Sequence, residues 1–319
     1  MFVAGPVNVH DDVKKAMIYG EIGHREPEFE EVFADIKKNL LIVFGANQDG
    51  YGVVVIGGSG TSSTETVLSS VLHSNKKTLV VSNGAFGQRM AEICEHYNIP
   101  TIRLHNNWEE YPSLKEIENQ LKTEKEIEAV CMVLMETSTG MLNPIHDTGL
   151  LCKKYNKIFV VDAISSLGGE FFNMIDDNVD YCIANTNKCI GGLPVLGLAC
   201  YKKAALEKSK DVNPRSYYLD LFKHIKYAEK NQTPFTPQIP LFFMLKVALN
   251  KILDEGLPNK IKRYKKNGEV LKKRLKEIGF RFQLKEDKMS DLMVNAIVPE
   301  GFTYQELHDL LKELGYITY

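Results

Sequence analysis

The sequence lacks the features that mark membrane-embedded, secreted or nucleic-acid-binding proteins. No apolar run approaches the roughly 20 residues that a helix needs to cross a bilayer. The first residues contain no basic stretch followed by an apolar core, so we expect no secretory signal. The formal net charge is only −2 at pH 7, and we therefore expect neither nucleic acid nor a membrane as a partner.

Cysteine pairs and metal-binding patterns are also missing. The six cysteines form no CxxC motif, and most of them lie in apolar segments. Reduced cysteines that pack in a core account for this pattern better than disulfides or a zinc site. The eight histidines show no metal-ligand spacing. These absences predict a cytoplasmic protein without a bound metal.

Short apolar runs and amphipathic helical patterns alternate between residues 50 and 205. The predicted strands are Gly52–Ile56, Thr78–Ser82, Thr101–Leu104, Ala129–Met135, Ile158–Asp162, Tyr181–Ala184 and Leu196–Tyr201. The predicted helices between them are Thr64–His73, Phe86–Tyr97, Leu114–Leu121 and Ile145–Tyr155. Alternation of this kind is typical of an α/β fold with a mainly parallel sheet sandwiched by helices.

A proline-rich stretch at residues 232–240 separates this region from a more helical part. That part contains three helical patterns and one strand pattern: Leu241–Glu255, Asn259–Ile278 and Thr303–Leu314 as helices, and Leu292–Val298 as a strand. We predict an N-terminal segment at 1–13, a large α/β domain at 14–240 and a small α+β domain at 241–319.

Lys188 is the only charged residue between Tyr181 and Tyr201. Its small, apolar and amide neighbours lower the pKa of a lysine and favour a Schiff-base nucleophile. Asp162 ends an apolar strand, and ligands of α/β proteins bind at the carboxyl ends of strands. A lysine on the aldehyde carbon and a carboxylate on the pyridinium nitrogen together suggest pyridoxal phosphate chemistry. Taken singly, Lys188 also suits a solvated loop, and Asp162 suits a helix cap or a surface ion pair.

A segment rich in glycine and hydroxyl groups, Gly57–Thr64, follows the first strand and opens a helix. Amides at a helix N-terminus bind anions, but Ser and Thr are also ordinary N-cap residues, so both interpretations stay open. The segment is not a Walker A loop, because no Gly-Lys-Ser/Thr follows, and it lacks the third glycine of the dinucleotide fingerprint. We therefore expect a single phosphate group here rather than a nucleotide.

Two further strand ends carry groups that suit a planar ligand. Phe86 opens the next helix, where its ring suits either stacking on a ligand or packing against that helix. Thr137 lies in a hydroxyl-rich turn, where it suits either a bond to a phenolate oxygen or a purely local role. Four successive strand ends thus combine a phosphate cradle, an aromatic ring, a hydroxyl and a carboxylate, with Lys188 downstream.

Several motifs distributed over nearly the whole chain carry a family resemblance. They are Gly5-Pro6-Val7-Asn8, Gly23-His24-Arg25-Glu26, Gly58-Ser59-Gly60-Thr61, Ser82-Asn83-Gly84-Ala85-Phe86-Gly87, Glu136-Thr137-Ser138-Thr139-Gly140-Met141-Leu142-Asn143-Pro144, Val161-Asp162-Ala163, Asn187-Lys188-Cys189-Ile190 and Ser216-Tyr217-Tyr218-Leu219-Asp220. On these motifs the chain resembles the class V aminotransferases, which are fold-type I pyridoxal phosphate enzymes. Within that class it is most similar to the 2-aminoethylphosphonate:pyruvate transaminases.

The resemblance implies a role for each matching residue around pyridoxal 5′-phosphate. Lys188 would form the Schiff base (internal aldimine), and Asp162 would pair with the pyridine nitrogen. Phe86 would lie on the face of the ring, and Thr137 would reach the ring hydroxyl.

The resemblance also implies how the phosphate group is bound. Ser59, Gly60 and Thr61 would hold it, with help from Asn187. In this family a threonine of the neighbouring subunit contacts the phosphate as well, and Thr236 occupies the matching position. The resemblance therefore implies a homodimer with a shared active site.

Two departures from the family pattern stand out. Relatives usually begin with Thr-Pro-Gly-Pro, where this chain has Val3-Ala4-Gly5-Pro6. They also continue past a segment like Gly315–Tyr319 into a strand whose arginine binds the substrate's carboxylate or phosphonate. We therefore expect either a fragment or an enzyme without this anion clamp.

The function implied is transfer of an amino group from a small-molecule amine donor to a 2-oxo acid acceptor. The reaction most similar to the family pattern converts 2-aminoethylphosphonate and pyruvate to phosphonoacetaldehyde and alanine. Two alternatives are an alanine- or serine-glyoxylate aminotransferase and a truncated, inactive class V homologue. A desulfurase is disfavoured because no mobile loop carries a cysteine, and a dehydrogenase is disfavoured because GxGxxG is missing.

Overall fold

The computed structural model describes residues 2–18 and 21–318. Its α-helices are α1 (Asp11–Lys15), α2 (Pro27–Val43), α3 (Gly60–Val71), α4 (Ala85–His96), α5 (Leu114–Thr123), α6 (Ile145–Lys154), α7 (Leu206–Ser209), α8 (Leu221–Ala228), α9 (Ile239–Glu255), α10 (Leu257–Glu277) and α11 (Tyr304–Glu313). Short 3₁₀ helices lie at Ala16–Ile18, Lys203–Ala205 and Glu286–Lys288. Within the described ranges, no helix combines the length and apolar character needed to cross a bilayer.

The strands are short and most of them are buried. They are β1 (Tyr51–Gly57), β2 (Lys77–Ser82), β3 (Thr101–His105), β4 (Ile127–Val133), β5 (Met135–Glu136), β6 (Met141–Leu142), β7 (Ile158–Asp162), β8 (Tyr181–Asn185), β9 (Leu196–Lys202), β10 (Arg281–Phe282) and β11 (Ala296–Ile297). Every residue of β7 and β8 is buried. Strands covered on both faces read as continuous apolar runs, and this is why the sequence pattern located them.

Seven strands form one sheet in the order β1-β9-β8-β7-β4-β2-β3. Neighbours from β8 to β3 pair in parallel, whereas β9 is antiparallel to both β8 and β1. Every strand except β9 therefore ends at the same edge of the sheet. Helices flank the sheet, and this confirms the predicted α/β fold with a mainly parallel sheet.

Helix α9 packs into the main hydrophobic core beside α2. The ring of Phe242 lies 5.1 Å from that of Phe29 and 5.3 Å from that of Phe33, measured between centroids. All three side chains are essentially inaccessible to solvent. The division at 13/14 and 240/241 stays a prediction, and Met1 and Tyr319, the outer ends of the predicted units, lie outside the described residues.

The predicted strand Leu292–Val298 is wrong over most of its length, since only Ala296–Ile297 pairs with β10. The preceding residues bond to the turn between β5 and β6 instead of to a neighbouring strand. Ser290 donates its backbone N–H to Gly140 O at 2.8 Å, and Asn295 Nδ2 donates to Ser138 O at 3.0 Å. Tertiary hydrogen bonds thus replace the ladder that the apolar pattern predicted.

Candidate active site

Most of the predicted site residues line one cavity at the carboxyl edge of the sheet. The cavity is lined by Gly60, Thr61, Thr64, Phe86, Arg89, Met90, Asp162, Ile164, Asn187 and Lys188. These residues come from the ends of β1, β2, β7 and β8 and from the starts of α3 and α4. Parallel strands bring such ends together although they are far apart in the chain.

Asp162 is the last residue of β7 and is only 5% exposed. Its Oδ1 accepts a hydrogen bond from the backbone N–H of Ile164 at 2.9 Å. Burial raises the pKa of Asp162 to about 7, and the nearby charges of Arg89 and Lys188 oppose this shift. The carboxylate is thus held in a position where a cationic ligand group would favour its ionised form.

Lys188 follows β8 and is half-buried. Burial lowers the pKa of its ammonium group, because an apolar setting disfavours the charged form. Its Nζ donates a hydrogen bond to Ala4 O at 2.5 Å. A Cβ atom at Gly5 would approach the Lys188 side chain to 2.6 Å, so the N-terminal segment packs directly on this lysine. The sequence offered no signal for that contact.

The start of α3 leaves its backbone amides free of a side-chain cap. Ser59 precedes the helix, and in the described part of the chain its side chain makes no capping hydrogen bond. A Cβ atom at Gly60 would lie 2.9 Å from the side chain of Ile164. A glycine is therefore needed here, because the helix start touches the turn that follows Asp162. The N-cap interpretation of the Ser59 hydroxyl is not supported, and the anion-binding interpretation stays a prediction.

Phe86 is held by a buried carboxylate that the sequence analysis did not single out. Glu136 is fully buried, and its carboxylate accepts hydrogen bonds from the backbone N–H of Gly87 at 3.0 Å and of Phe86 at 3.3 Å. Ser138 Oγ donates to the same carboxylate at 2.6 Å. Glu136 thereby binds the N-terminus of α4, where negative charge is favoured. Its position next to Thr137 was the only available signal.

Arg89 is a second residue that the sequence analysis missed. It lines the same cavity, and its guanidinium carbon lies 4.8 Å from the centroid of the Phe86 ring. The two residues are three positions apart on α4, and residues with this spacing share a helix face. Helical spacing from Phe86 was therefore the signal for Arg89.

Three predicted residues lie outside the cavity lining within the described chain. Ser59 adjoins the lining at the start of α3. Thr137 Oγ1 lies 2.5 Å from Ser165 Oγ, so its hydroxyl has a partner within the chain. Thr236 is exposed and lines a separate cavity beside Gly57 and Tyr218. A single chain therefore does not bring Thr236 to the cavity that contains Lys188.

Comparisons with known proteins identify the family. Residues 11–317 match the family "Aminotransferase class-V". The 2-aminoethylphosphonate–pyruvate transaminase of Bacillus cytotoxicus is 34% identical over 325 residues, which cover 100% of this chain and 88% of the relative. A bifunctional phosphonoacetaldehyde hydrolase/aminoethylphosphonate transaminase of Clostridioides difficile is 33% identical, with 100% of this chain and 51% of the relative covered.

A solved structure supports the same assignment at the level of the fold. The alanine–glyoxylate aminotransferase of Nostoc sp. superimposes with a TM-score of 0.94 at 26% identity, and the match covers 99% of this chain and 85% of that one. The predicted family, fold and cofactor are thus confirmed. The chain belongs to the class-V aminotransferases and is an aminotransferase that uses pyridoxal phosphate.

Proposed function

We propose that this aminotransferase converts 2-aminoethylphosphonate and pyruvate to phosphonoacetaldehyde and alanine. The observation that carries its chemistry is that Lys188 and Asp162 line one cavity. The choice of substrates is supported by relatives with this activity in their names, which are 32–34% identical over the whole of this chain.

The cavity fits pyridoxal phosphate in the placement of its polar groups. The carboxylate of Asp162 has one hydrogen bond within the described chain, from the Ile164 N–H. A protonated ring nitrogen would supply the cationic partner that a buried carboxylate needs. The amides at the start of α3 suit a phosphate group. Phe86 offers an aromatic face to the same cavity. On this basis Gly60, Thr61 and Asn187 would hold the phosphate.

In the proposed mechanism, Asp162 and Lys188 each control the position of one proton. Asp162 would keep the ring nitrogen protonated. Pyridoxal phosphate, when bound, supplies an electron sink for the carbon that bears the amino group. Lys188 Nζ would take the proton from that carbon as a general base and then return a proton as a general acid. The lowered pKa of Lys188 favours this role, because only the neutral amine accepts a proton.

A pair of lysine variants tests the role of Lys188. Lys188→Ala should lose the borohydride-reducible absorbance band of the purified protein together with its transaminase activity. Lys157→Ala is the matched control, because Lys157 lies beside the opposite end of β7 and burial also lowers its pKa. A reducible band that persists in Lys188→Ala would show that another amine binds the cofactor.

A donor–acceptor panel tests the substrates. The panel pairs 2-aminoethylphosphonate with pyruvate, alanine with glyoxylate and serine with glyoxylate, and the aldehyde or keto product of each reaction is measured. We expect the first pair to have a kcat/KM at least ~10-fold above the others, which corresponds to about 1.4 kcal/mol of discrimination. Alanine–glyoxylate transfer is the second candidate because of the TM-score of 0.94, and a preference for that pair would overturn the phosphonate assignment.

We propose further that the active site is shared across a homodimer through Thr236. This residue is exposed, and its segment is anchored by Arg25, which donates to Gln232 Oε1 at 2.9 Å and to Thr233 O at 2.8 Å. Close by, Tyr217 is 79% exposed, and exposed aromatic rings are enriched at protein interfaces. A second copy would bring Thr236 to the phosphate group.

Subunit mixing tests the shared site. Thr236→Ala should weaken cofactor binding, and Lys188→Ala should abolish activity. In a mixed dimer, one site combines the native Lys188 of the Thr236→Ala subunit with the native Thr236 of the Lys188→Ala subunit. Mixing the two variants should therefore restore activity at limiting pyridoxal phosphate. If dimers that are shown to be mixed remain inactive, Thr236 does not contribute to the site of the other subunit, and the proposal is wrong.

A cytoplasmic location is part of the same proposal. It is supported by the cysteines, all six of which are free, as is usual in a reducing compartment. Cell fractionation of the native protein tests it, and recovery in a secreted or membrane fraction would contradict it.

A further inference from the structure

A second buried lysine, Lys260, lies behind the candidate active site, and none of the proposed roles uses it. It belongs to α10 and is 5% exposed. Its Nζ donates hydrogen bonds to Gly168 O at 3.1 Å and to Cys189 O, and it lies 5.0 Å from the centroid of the Tyr264 ring. No carboxylate in the described ranges forms an ion pair with this lysine. Two carbonyl dipoles and an aromatic face therefore stabilise the buried ammonium group.

The two carbonyl groups belong to the two turns that carry the proposed catalytic residues. Gly168 closes the turn that follows Asp162, in which the Leu167 N–H donates to Ala163 O at 2.9 Å. Gly168 has a φ of +82°, a conformation that favours glycine and orients this peptide group. Cys189 directly follows Lys188 in the other turn.

The two turns touch each other at the point where Lys260 binds them. Cys189 Sγ lies 3.4 Å from Ser165 O, within hydrogen-bonding distance for a thiol. A Cβ atom at Gly169 would lie 2.6 Å from Cys189 Sγ, so the packing between the turns leaves no room for a side chain there. Lys260 bonds to a carbonyl of each turn beside this contact.

We propose that Lys260 is a positioning residue, which ties the Asp162 turn to the Lys188 turn and so sets the separation of the carboxylate and the amine. The proposal rests on the roles of Asp162 and Lys188 in the proposed function. A methionine at position 260 has a similar length but no donor, so it would leave both carbonyl groups without a partner. Beyond the β7–β8 ladder and the hydrogen bond from Ala163 N–H to Ile183 O at 2.8 Å, the turns would then be held by the Cys189–Ser165 contact and by packing.

Hydrogen exchange of the full-length protein, with and without pyridoxal phosphate, tests the contact. In Lys260→Met we expect amide exchange in residues 163–168 and 186–192 to be about 10-fold faster, which corresponds to the loss of roughly one hydrogen bond. Lys272→Met is the matched control on the same helix, because Lys272 is 8% exposed and its Nζ pairs with Asp291 at 2.6 Å. The control should change exchange near Asp291 and at Glu170, which Ser290 contacts, and it should leave residues 163–168 and 186–192 as in the wild type.

The absorbance of the bound cofactor gives a second readout, which a general loss of stability would not produce. Its pH midpoint should shift by at least about 0.5 unit in Lys260→Met, because the midpoint depends on the positions of both charged groups. Lys260→Arg keeps a buried donor and should bring the midpoint most of the way back to the wild-type value. Lys272→Met should leave the midpoint unchanged. If Lys260→Met fails to fold, Lys260→Gln replaces it, because glutamine keeps an NH₂ donor group. We then expect a smaller shift of the midpoint in the same direction.

Equal exchange and equal midpoints in the Lys260 and Lys272 variants would overturn the proposal. Failure of the proposed function is distinguishable from this result. In that case the wild type and Lys188→Ala would show the same absorbance, while the exchange rates of the two turns would still report on Lys260.

Discussion

The two edges of the central sheet carry the same types of charged residue but stabilise them in different ways. At the amino edge, opposite charges pair with one another. Lys77 Nζ lies 2.8 Å from Glu124 and 3.0 Å from Glu126, and the carboxylates raise the pKa of this lysine. Glu128 lies 4.0 Å from Lys76 Nζ. These charges are compensated within the chain.

At the carboxyl edge, peptide groups take the place of counter-ions. Asp162 accepts a hydrogen bond from a backbone N–H, and Lys188 donates one to a backbone carbonyl. Burial dominates, so the pKa of Asp162 rises and that of Lys188 falls. Shifts of this direction are typical of groups whose charge a ligand completes. Lys157 at the amino edge also combines burial with a peptide-group partner. The comparison therefore teaches that burial without a counter-ion marks a group for chemistry only where that group also lines the cavity, as Asp162 and Lys188 do.

Replacing one buried aspartate at each edge should give the largest difference. Asp162→Asn removes the carboxylate that we place opposite the ring nitrogen, and loss of such a buried charge partner costs about 3–5 kcal/mol, or roughly 10²–10⁴-fold in kcat. Asp180→Asn is the control, because Asp180 is also buried but lies at the amino edge, where its Oδ2 accepts from Phe159 N–H at 3.1 Å. Steady-state kinetics with saturating cofactor measure both. Equal losses in the two variants would break the comparison.

Asp162→Asn, which should lower activity, should instead stabilise the cofactor-free protein at alkaline pH. Between the ordinary pKa of 3.8 and about 7, the folded chain retains a proton that the unfolded chain has lost. The free energy of unfolding therefore falls as the pH rises through this window. Asparagine has no such dependence, so at pH 8 Asp162→Asn should be more stable than the wild type by roughly 2–4 kcal/mol, and near pH 3 the difference should vanish.

Urea unfolding at a series of pH values measures this crossover. A difference between variant and wild type that stays constant from pH 3 to pH 8 would mean that the pKa of Asp162 is the same in the folded and the unfolded chain.

A smaller effect is expected from Glu136, the carboxylate that binds the start of α4. In Glu136→Gln one of the two oxygens becomes an NH₂ group, which cannot accept the hydrogen bonds from Gly87 or Phe86. Leaving a buried donor unpaired costs about 1–3 kcal/mol, so we expect pyridoxal phosphate to bind about 10-fold more weakly. Glu128→Gln, at the amino end of β4, is the control. Equilibrium titration with the cofactor distinguishes the two variants.

The smallest effect should come from the exposed amino edge. Lys77→Met removes ion pairs that are open to solvent, and salt screens such pairs. We expect unchanged kinetics and a slightly lower unfolding midpoint that approaches the wild-type value in high salt. A loss of activity in this variant would connect the amino edge to the chemistry.

Much of the fold and part of the candidate site could be predicted from local sequence. The strand ending at Asp162 is a continuous apolar run, and Lys188 stands alone in an uncharged segment. Because the carboxyl ends of parallel strands meet at one edge of the sheet, these two observations predict that both residues lie at that edge. The family motifs add the prediction that the site binds pyridoxal phosphate.

Other parts of the site depend on contacts between residues that are distant in the chain. Ala4 meets Lys188, Glu136 meets Gly87, and Lys260 meets Gly168. Periodicity and motif spacing report only on neighbours in sequence, so they carry no signal for such pairs. The strand predicted at Leu292–Val298 was wrong for the same reason, since its flanking polar groups bond to the turn between β5 and β6.

The sequence by itself determined the family and the parallel strands and predicted which residues are the amine and the acid, because these depend on residue type and local pattern. Only the tertiary structure decided which peptide groups form hydrogen bonds with Asp162 and Lys188. It also decided that most of the apolar segment Leu292–Val298 does not pair as a strand. The physical reason is that burial and hydrogen-bond partners are properties of the packed chain, and the pKa values of Asp162 and Lys188 follow from both.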